Sequence, residues 1–77
     1  MIPIMFFEGT HISIKVYGKS ELAEKLGISL SKLRRELIDI EELIKGAGAY
    51  KRRNKTLRPS QVKAYLVYYG YSEEKIN

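Results

Sequence analysis

Apolar residues alternate with polar ones near the start of the chain, which is the spacing of a strand with one buried face. Residues 2–7 and 11–17 predict two strands around a turn at residues 8–10. The apolar residues of the second strand share one face: Ile12, Ile14 and Val16. Residues 1–17 are therefore expected to form a β-hairpin, or a single strand if the first segment does not pair.

Beyond this region the apolar residues recur at intervals of three and four, the spacing of helices. A first helix is predicted over residues 19–26, capped by Gly18 and ended by Gly27. Ser29 is a favourable N-cap for a second helix over residues 30–38. Two short helices joined by such a sharp turn are typical of a helix-turn-helix, whose second helix enters the major groove of DNA.

A short third helix is predicted over residues 40–45, with Asp39 as its N-cap and Glu42 at its third position. Its apolar residues are Ile40, Leu43 and Ile44. One continuous helix over residues 30–45 is the alternative, because the apolar stripe keeps its phase across Asp39. The glycines of residues 46–48 then end the helix.

Residues 49–58 form either a basic wing or a simple loop. In the wing, residues 49–51 would pair with residues 56–58 around a turn at Asn54, a residue type that tolerates tight turns.

A C-terminal helix is predicted within residues 59–70, because Pro59 suits a first helical turn and Gly70 can close the last one. Its buried face contains Val62, Tyr65, Leu66 and Tyr69. The tail, residues 71–77, is polar after its first residue and is expected to fray.

Composition places the chain among small globular proteins. Its 77 residues suffice for one domain with a thin core, and its 44% apolar content is ordinary for a folded protein. The absence of cysteine excludes disulfides and thiolate metal sites. The apolar opening is too short for a membrane span and lacks the pattern of a signal peptide. We therefore expect a cytoplasmic protein.

The predicted elements together give a fold that is mainly α with a small β component and contains three to four short helices.

The formal net charge is +5, which favours polyanionic partners. The cations are concentrated on the second helix and in residues 51–58. The residues predicted to contact DNA are Ser31, Lys32, Arg34, Arg35, Lys51, Arg52, Arg53, Lys55 and Arg58. Either Arg34 or Arg35 would pair with guanine, whereas Lys32 and the basic segment would hold the phosphate backbone. If about five of these cations touched phosphate, the log-log salt slope would be roughly −4 to −5.

Three stretches of the chain carry a family resemblance: Glu21-Leu-Ala-Glu-Lys-Leu-Gly-Ile-Ser29, the basic segment, and Pro59-Ser-Gln-Val62. In this order they resemble the winged helix-turn-helix domains of the MerR and excisionase type. Most of residues 12–71 also looks similar to a group of short bacterial helix-turn-helix proteins without an established activity. The resemblance implies a winged helix-turn-helix fold, double-stranded DNA as partner, and a role as transcriptional regulator or excisionase-like factor.

The chain departs from that pattern at Glu36, which stands where such motifs bury an aliphatic or aromatic residue. The effector-binding half of the MerR type and its long dimerising coil have no counterpart in the sequence. The resemblance therefore implies no sensing of a small molecule.

Catalysis is not expected. The single histidine, His11, is predicted to lie on the surface of a strand, and no cysteine is present to complete a nucleophilic site. Glu41 and Glu42 are adjacent, so a helix turns them about 100° apart, which suits paired acid–base work poorly. The glycines of residues 46–48 lack the lysine and hydroxyl residue of a phosphate loop. We expect no enzyme activity, cofactor or metal.

Tyrosines crowd the C-terminal helix. Tyr65 and Tyr69 share its buried face, whereas Tyr68 lies off that face and, with Tyr71, is a candidate contact for a homodimer or a protein partner. An alternative function is therefore a protein-binding adaptor that keeps the helix-turn-helix scaffold and uses its tyrosine-rich and acidic surfaces without binding DNA.

Overall fold

The computed structural model describes residues 4–7 and 9–73. Its elements follow in the order β1 (Ile4–Phe7), β2 (Thr10–Ser13), β3 (Tyr17–Gly18), α1 (Lys19–Leu26), α2 (Leu30–Asp39), α3 (Glu41–Gly46), β4 (Thr56–Leu57), α4 (Pro59–Tyr68) and β5 (Ser72–Glu73). Over these residues, four helices and two small antiparallel sheets confirm the predicted class, mainly α with a small β component. None of the helices in the described ranges has the length and apolar content needed to cross a membrane.

The predicted hairpin is confirmed by the antiparallel pairing of β1 with β2, in which Met5 lies opposite Ile12, but its second strand ends at Ser13 and not at residue 17 as predicted. Both of these side chains are buried, but Val16 is 58% exposed, so its predicted place on the buried face is wrong. The chain bends at Lys15, and this bend shifts the alternation by one residue. Tyr17 is buried in place of Val16.

The beginning of the tail is ordered, contrary to the prediction of fraying. Ser72–Glu73 form a third strand of the hairpin sheet, on the free edge of β1. Tyr71 anchors this strand, because its ring lies 5.4 Å from that of Phe7 and packs against the core. Residues 74–77 and 1–3, for which fraying and a longer first strand were predicted, lie outside the described residues.

The bounds of α1 are those predicted, and the turn that follows it explains why. Gly27 adopts a left-handed conformation with φ of 72°, and the backbone N–H of Ile28 donates to the carbonyl of Ala23 at 3.0 Å. This is the bond pattern of a Schellman motif, which glycine accommodates without steric cost. Ser29 then caps α2, because its Oγ accepts a hydrogen bond from the N–H of Lys32 at 3.1 Å.

The break between the second and third helices is confirmed, but its residues differ from those predicted. Asp39 is the last residue of α2, and Ile40 rather than Asp39 occupies the cap position of α3, without a side-chain capping bond. Ile40 is 5% exposed, so the chain turns here to bury an apolar residue. Ile44, four residues later, is buried with it, whereas Leu43 faces solvent at 45% exposure.

One apolar cluster takes side chains from both sheets and from all four helices in the described residues. Its most deeply buried members are Met5, Ile12, Tyr17, Leu22, Leu33, Leu37, Ile44, Leu57, Val62 and Leu66. Burying one leucine or isoleucine of this kind contributes about 1.5–3 kcal/mol. The cluster therefore fixes the relative positions of the helices that carry the charged surface.

The unusual carboxylate at Glu36 has a partner in the C-terminal helix. The hydroxyl of Tyr65 donates to Glu36 Oε1 at 2.9 Å, which joins α2 to α4. Tyr65 is buried and Glu36 is half-buried. Burial and the neighbouring carboxylate together raise the pKa of Tyr65, so its hydroxyl stays a donor at neutral pH.

Candidate nucleic-acid interface

The basic loop, residues 49–58, is pinned at its base by a buried glutamine of α4. Gln61 is 1% exposed, and its Nε2 donates to the carbonyls of Gly48 and Ala49 at 3.1 and 3.2 Å. Its Oε1 accepts from the backbone N–H of Arg58 at 2.9 Å. One side chain therefore holds the residues that enter the loop and the residue that leaves it.

A buried lysine holds the middle of the basic loop. Lys19, the first residue of α1, is 6% exposed, and its Nζ donates to the carbonyl of Arg52 at 2.9 Å. The same ammonium lies 4.9 Å from the ring centroid of Tyr50, which is itself buried. A hydrogen bond from Asn54 N–H to the Lys51 carbonyl closes a turn between them, at 2.9 Å.

The far end of the loop pairs with the segment before α1 and not with its own beginning. Leu57 lies opposite Tyr17 and Thr56 opposite Gly18, and the N–H of Lys19 donates to the carbonyl of Lys55 at 2.8 Å. The predicted wing pairing of residues 49–51 with 56–58 is therefore wrong: residues 56–57 pair with β3, and residues 49–51 are not in a strand. Residues 49–58 instead form a loop, which was the alternative to the wing in the sequence prediction.

A groove of about 810 Å³ lies between the basic loop and α2. Leu30, Arg34 and Ile38, spaced four residues apart, contribute one wall from α2. The cationic residues that line it are Lys19, Arg34, Arg52, Arg53 and Lys55. Its lining includes no acidic residue of the described chain, so the charged side chains that line it are all cationic, and we call it the positive groove.

A second groove, of about 630 Å³, lies on the other side of the basic loop. Its cationic lining residues are Lys45, Lys51, Arg53 and Arg58. The predicted cations of the loop therefore divide between two sides, and only Arg53 lines both grooves. Lys51 and Arg58 do not share the groove that contains Arg34.

The predicted contact residues of α2 are all exposed, but they face different directions. Arg34 faces the basic loop, whereas Ser31, Lys32 and Arg35 do not line the groove. Lys32 and Arg34 are two positions apart, which is a rotation of about 200° on a helix, so they lie on opposite flanks. Ser31 and Arg35, four residues apart, share the outward surface between these flanks.

Seven of the eight predicted cations have no ion pair within the described residues. The exception is Arg52, whose Nε donates to Glu41 Oε2. Glu41 also pairs with Lys45 at 3.1 Å. Hydrogen bonds from Arg52 and Lys45 hold the pKa of Glu41 below its ordinary value. The acidic α3 therefore neutralises one cation of the loop and leaves the others available to a ligand.

Two residues that shape this surface were not among the predicted site residues. Gln61 lies four positions before Tyr65, so a helix places it beside the predicted buried face, and a polar residue at that position could have indicated a buried hydrogen-bonding role. Lys19 carries no such indication, because its partner Arg52 is 33 residues away in the sequence.

The two tyrosines predicted to form a partner contact separate in the structure. Tyr68 is 60% exposed, whereas Tyr71 is half-buried against Phe7 and the core, and burial raises its pKa. Tyr71 is therefore mainly a packing residue of the hairpin sheet, and only Tyr68 offers its ring to solvent.

Comparisons of this chain with protein-family models, with curated proteins and with solved structures find no match. The chemistry of the exposed cations and the positions of α2 and the basic loop are therefore the grounds for assigning a ligand.

Proposed function

We propose that the chain binds double-stranded DNA as a helix-turn-helix protein, with α2 as its recognition helix and the basic loop as a second contact with the DNA. The single observation that carries the proposal is the shared groove, in which Arg34 of α2 meets Arg53 and Lys55 of the loop. Two segments distant in the sequence thus present unpaired cations to one ligand. A polyanion of regular shape fits that arrangement best.

The dimensions of DNA support this geometry. The major groove, about 12 Å wide, admits one α-helix, and a phosphate backbone runs along each side of it. With α2 inserted, one backbone would pass between α2 and the basic loop, where the positive groove lies. The cations Arg34, Arg53 and Lys55 would then contact phosphates.

The outward surface of α2 would face the base edges. Arg35 has a guanidinium able to pair with O6 and N7 of guanine, and such a pair discriminates by about 1–3 kcal/mol. Ser31 lies beside Arg35 on this surface and can donate or accept a hydrogen bond. Arg35 is therefore proposed as the residue that reads the sequence, and Arg34 as one that positions the protein. The biological role would be that of a small transcriptional regulator or an excisionase-like architectural factor.

The test is the salt dependence of binding to a fluorescently labelled random-sequence duplex, followed by anisotropy. Neutralising Arg53 and Lys55 together should reduce the log-log salt slope by about 1.8, because each phosphate contact contributes about 0.9. Lys25→Gln is the matched control, since Lys25 is an exposed cation at the end of α1 that does not line the groove. Equal slopes for the double variant and the control, or no binding by the wild type, would overturn the proposal.

A further inference from the structure

A third groove, of about 410 Å³, lies beyond the α2–α3 junction. It is lined by the end of α2, by the first residues of α3, by Arg52 and by Tyr68 near the end of α4. Ile40 lines it as well and is buried. It is separate from the positive groove, although Ile38 and Arg52 line both.

Three large apolar side chains surround this third groove, each from a different helix. Ile38 of α2 is 46% exposed, Leu43 of α3 is 45% exposed and Tyr68 of α4 is 60% exposed. The ring of Tyr68 packs edge-on against Tyr69, with 5.0 Å between centroids, so it is held in place. Apolar side chains that converge on one concavity with a polar rim are typical of a binding surface.

The charge of the rim restricts what can occupy this groove. Asp39 and Glu42 are exposed and have no ion pair within the described residues, whereas Glu41 is already paired with Arg52 and Lys45. Two unpaired carboxylates repel phosphate, so this groove does not continue the proposed DNA surface. They also oppose a symmetric dimer through this face, because each copy would bring the same carboxylates to the contact.

We propose that this acidic groove, lined by Ile38, Leu43 and Tyr68 and edged by Asp39 and Glu42, binds a basic amphipathic helix of a partner protein. The apolar side of such a helix, with anchors three or four residues apart, would contact Ile38, Leu43 and Tyr68. Lysine or arginine residues beside those anchors would pair with Asp39 and Glu42. The groove therefore favours a basic partner over an acidic one, whereas the cations that line the positive groove would repel the same helix.

The experiment uses two synthetic helical peptides with the same leucine stripe, one with lysine and arginine on its polar face and one with glutamate and aspartate. Binding of each labelled peptide to the full chain is followed by fluorescence anisotropy. The basic peptide should bind, and Leu43→Ser should weaken it roughly tenfold, as expected for an interface anchor. Combined Asp39→Asn and Glu42→Gln should weaken it and reduce its salt dependence.

Val67→Ser is the matched control, because Val67 is 52% exposed on α4 and does not line the groove. Equal binding of the basic and acidic peptides, or equal weakening by Val67→Ser and Leu43→Ser, would overturn the proposal. A concentration-dependent dimer that is observed by sedimentation and abolished by Leu43→Ser would also overturn the proposal, because the groove would then bind a second copy of the chain. DNA binding by Leu43→Ser is expected to stay at the wild-type level. The experiments therefore distinguish failure of the peptide-binding proposal from failure of the DNA proposal.

Discussion

Replacing Gln61 with leucine tests whether the basic loop is held in place by a buried side chain. The wild-type amide makes three hydrogen bonds, two to the carbonyls of Gly48 and Ala49 and one from the N–H of Arg58. Leucine keeps nearly the same volume in the core but can make none of them. The substitution therefore removes the polar clamp while leaving the packing of α4 almost unchanged.

The expected loss of stability follows from the number of hydrogen bonds that the substitution removes. Each hydrogen bond contributes about 1 kcal/mol net, and a partner left buried without a bond costs about 1–3 kcal/mol. The gain from burying a leucine offsets part of this, so we expect Gln61→Leu to lower the free energy of unfolding by about 2–4 kcal/mol. For a domain of this size that change lowers the melting temperature by roughly 10–25 °C.

Urea unfolding followed by circular dichroism measures the change, and Ser60→Ala is the neighbouring control. Ser60 Oγ donates one exposed bond to the carbonyl of Ala47 at 2.7 Å, so its removal should cost no more than about 0.5–1 kcal/mol. Amide exchange at Arg58 gives a local readout, because its N–H should exchange faster in Gln61→Leu. A destabilisation no larger than that of Ser60→Ala, with Arg58 still protected, would refute the clamp.

Three further predictions concern other contacts. Because the pKa of Tyr65 is raised above its ordinary value of about 10, its neutral form stabilises the fold below that pH and the contribution is lost as the pH rises. Urea unfolding should therefore show that Tyr65→Phe is less stable than wild type by about 1–2 kcal/mol at pH 7, because the bond to Glu36 is lost. The difference in free energy of unfolding should be smaller above pH 10. A difference that does not change with pH would contradict this. Gly27→Ala should cost about 1 kcal/mol by the same measurement, because φ is 72° there, and an unchanged stability would exclude the left-handed turn. Glu41→Gln should free Arg52 and steepen the DNA salt slope by about 0.9; an unchanged slope would show that Arg52 does not reach phosphate.

The bounds of α1 and the starts of α2 and α4 could be predicted from the sequence because they depend on neighbouring residues. Gly27 and Ser29 fix the turn between α1 and α2 through bonds that span no more than five residues, and Pro59 begins α4 at its first position. Leu43 was predicted wrongly because its exposure depends on how the chain turns at Ile40, which no local rule specifies.

The path of the basic loop could not be predicted, because distant residues determine it. Lys19 reaches the Arg52 carbonyl 33 residues away, and β3 pairs with β4 across a similar separation. The exposure of the predicted cations followed from their charge. The sequence does not show which of these cations share a groove. Arg53 lines the groove that contains Arg34, whereas Lys51 does not.

The most direct test of the central claim is an NMR titration of the ¹⁵N-labelled chain with a random-sequence duplex. Because Arg34 and Lys55 line one groove, the amides of α2 and of the basic loop should shift together, with the same dependence on DNA concentration. The amides of the acidic groove, such as that of Glu42, should move little. Shifts confined to one of the two basic segments, or a response centred on the acidic groove, would contradict a DNA surface built from α2 and the loop.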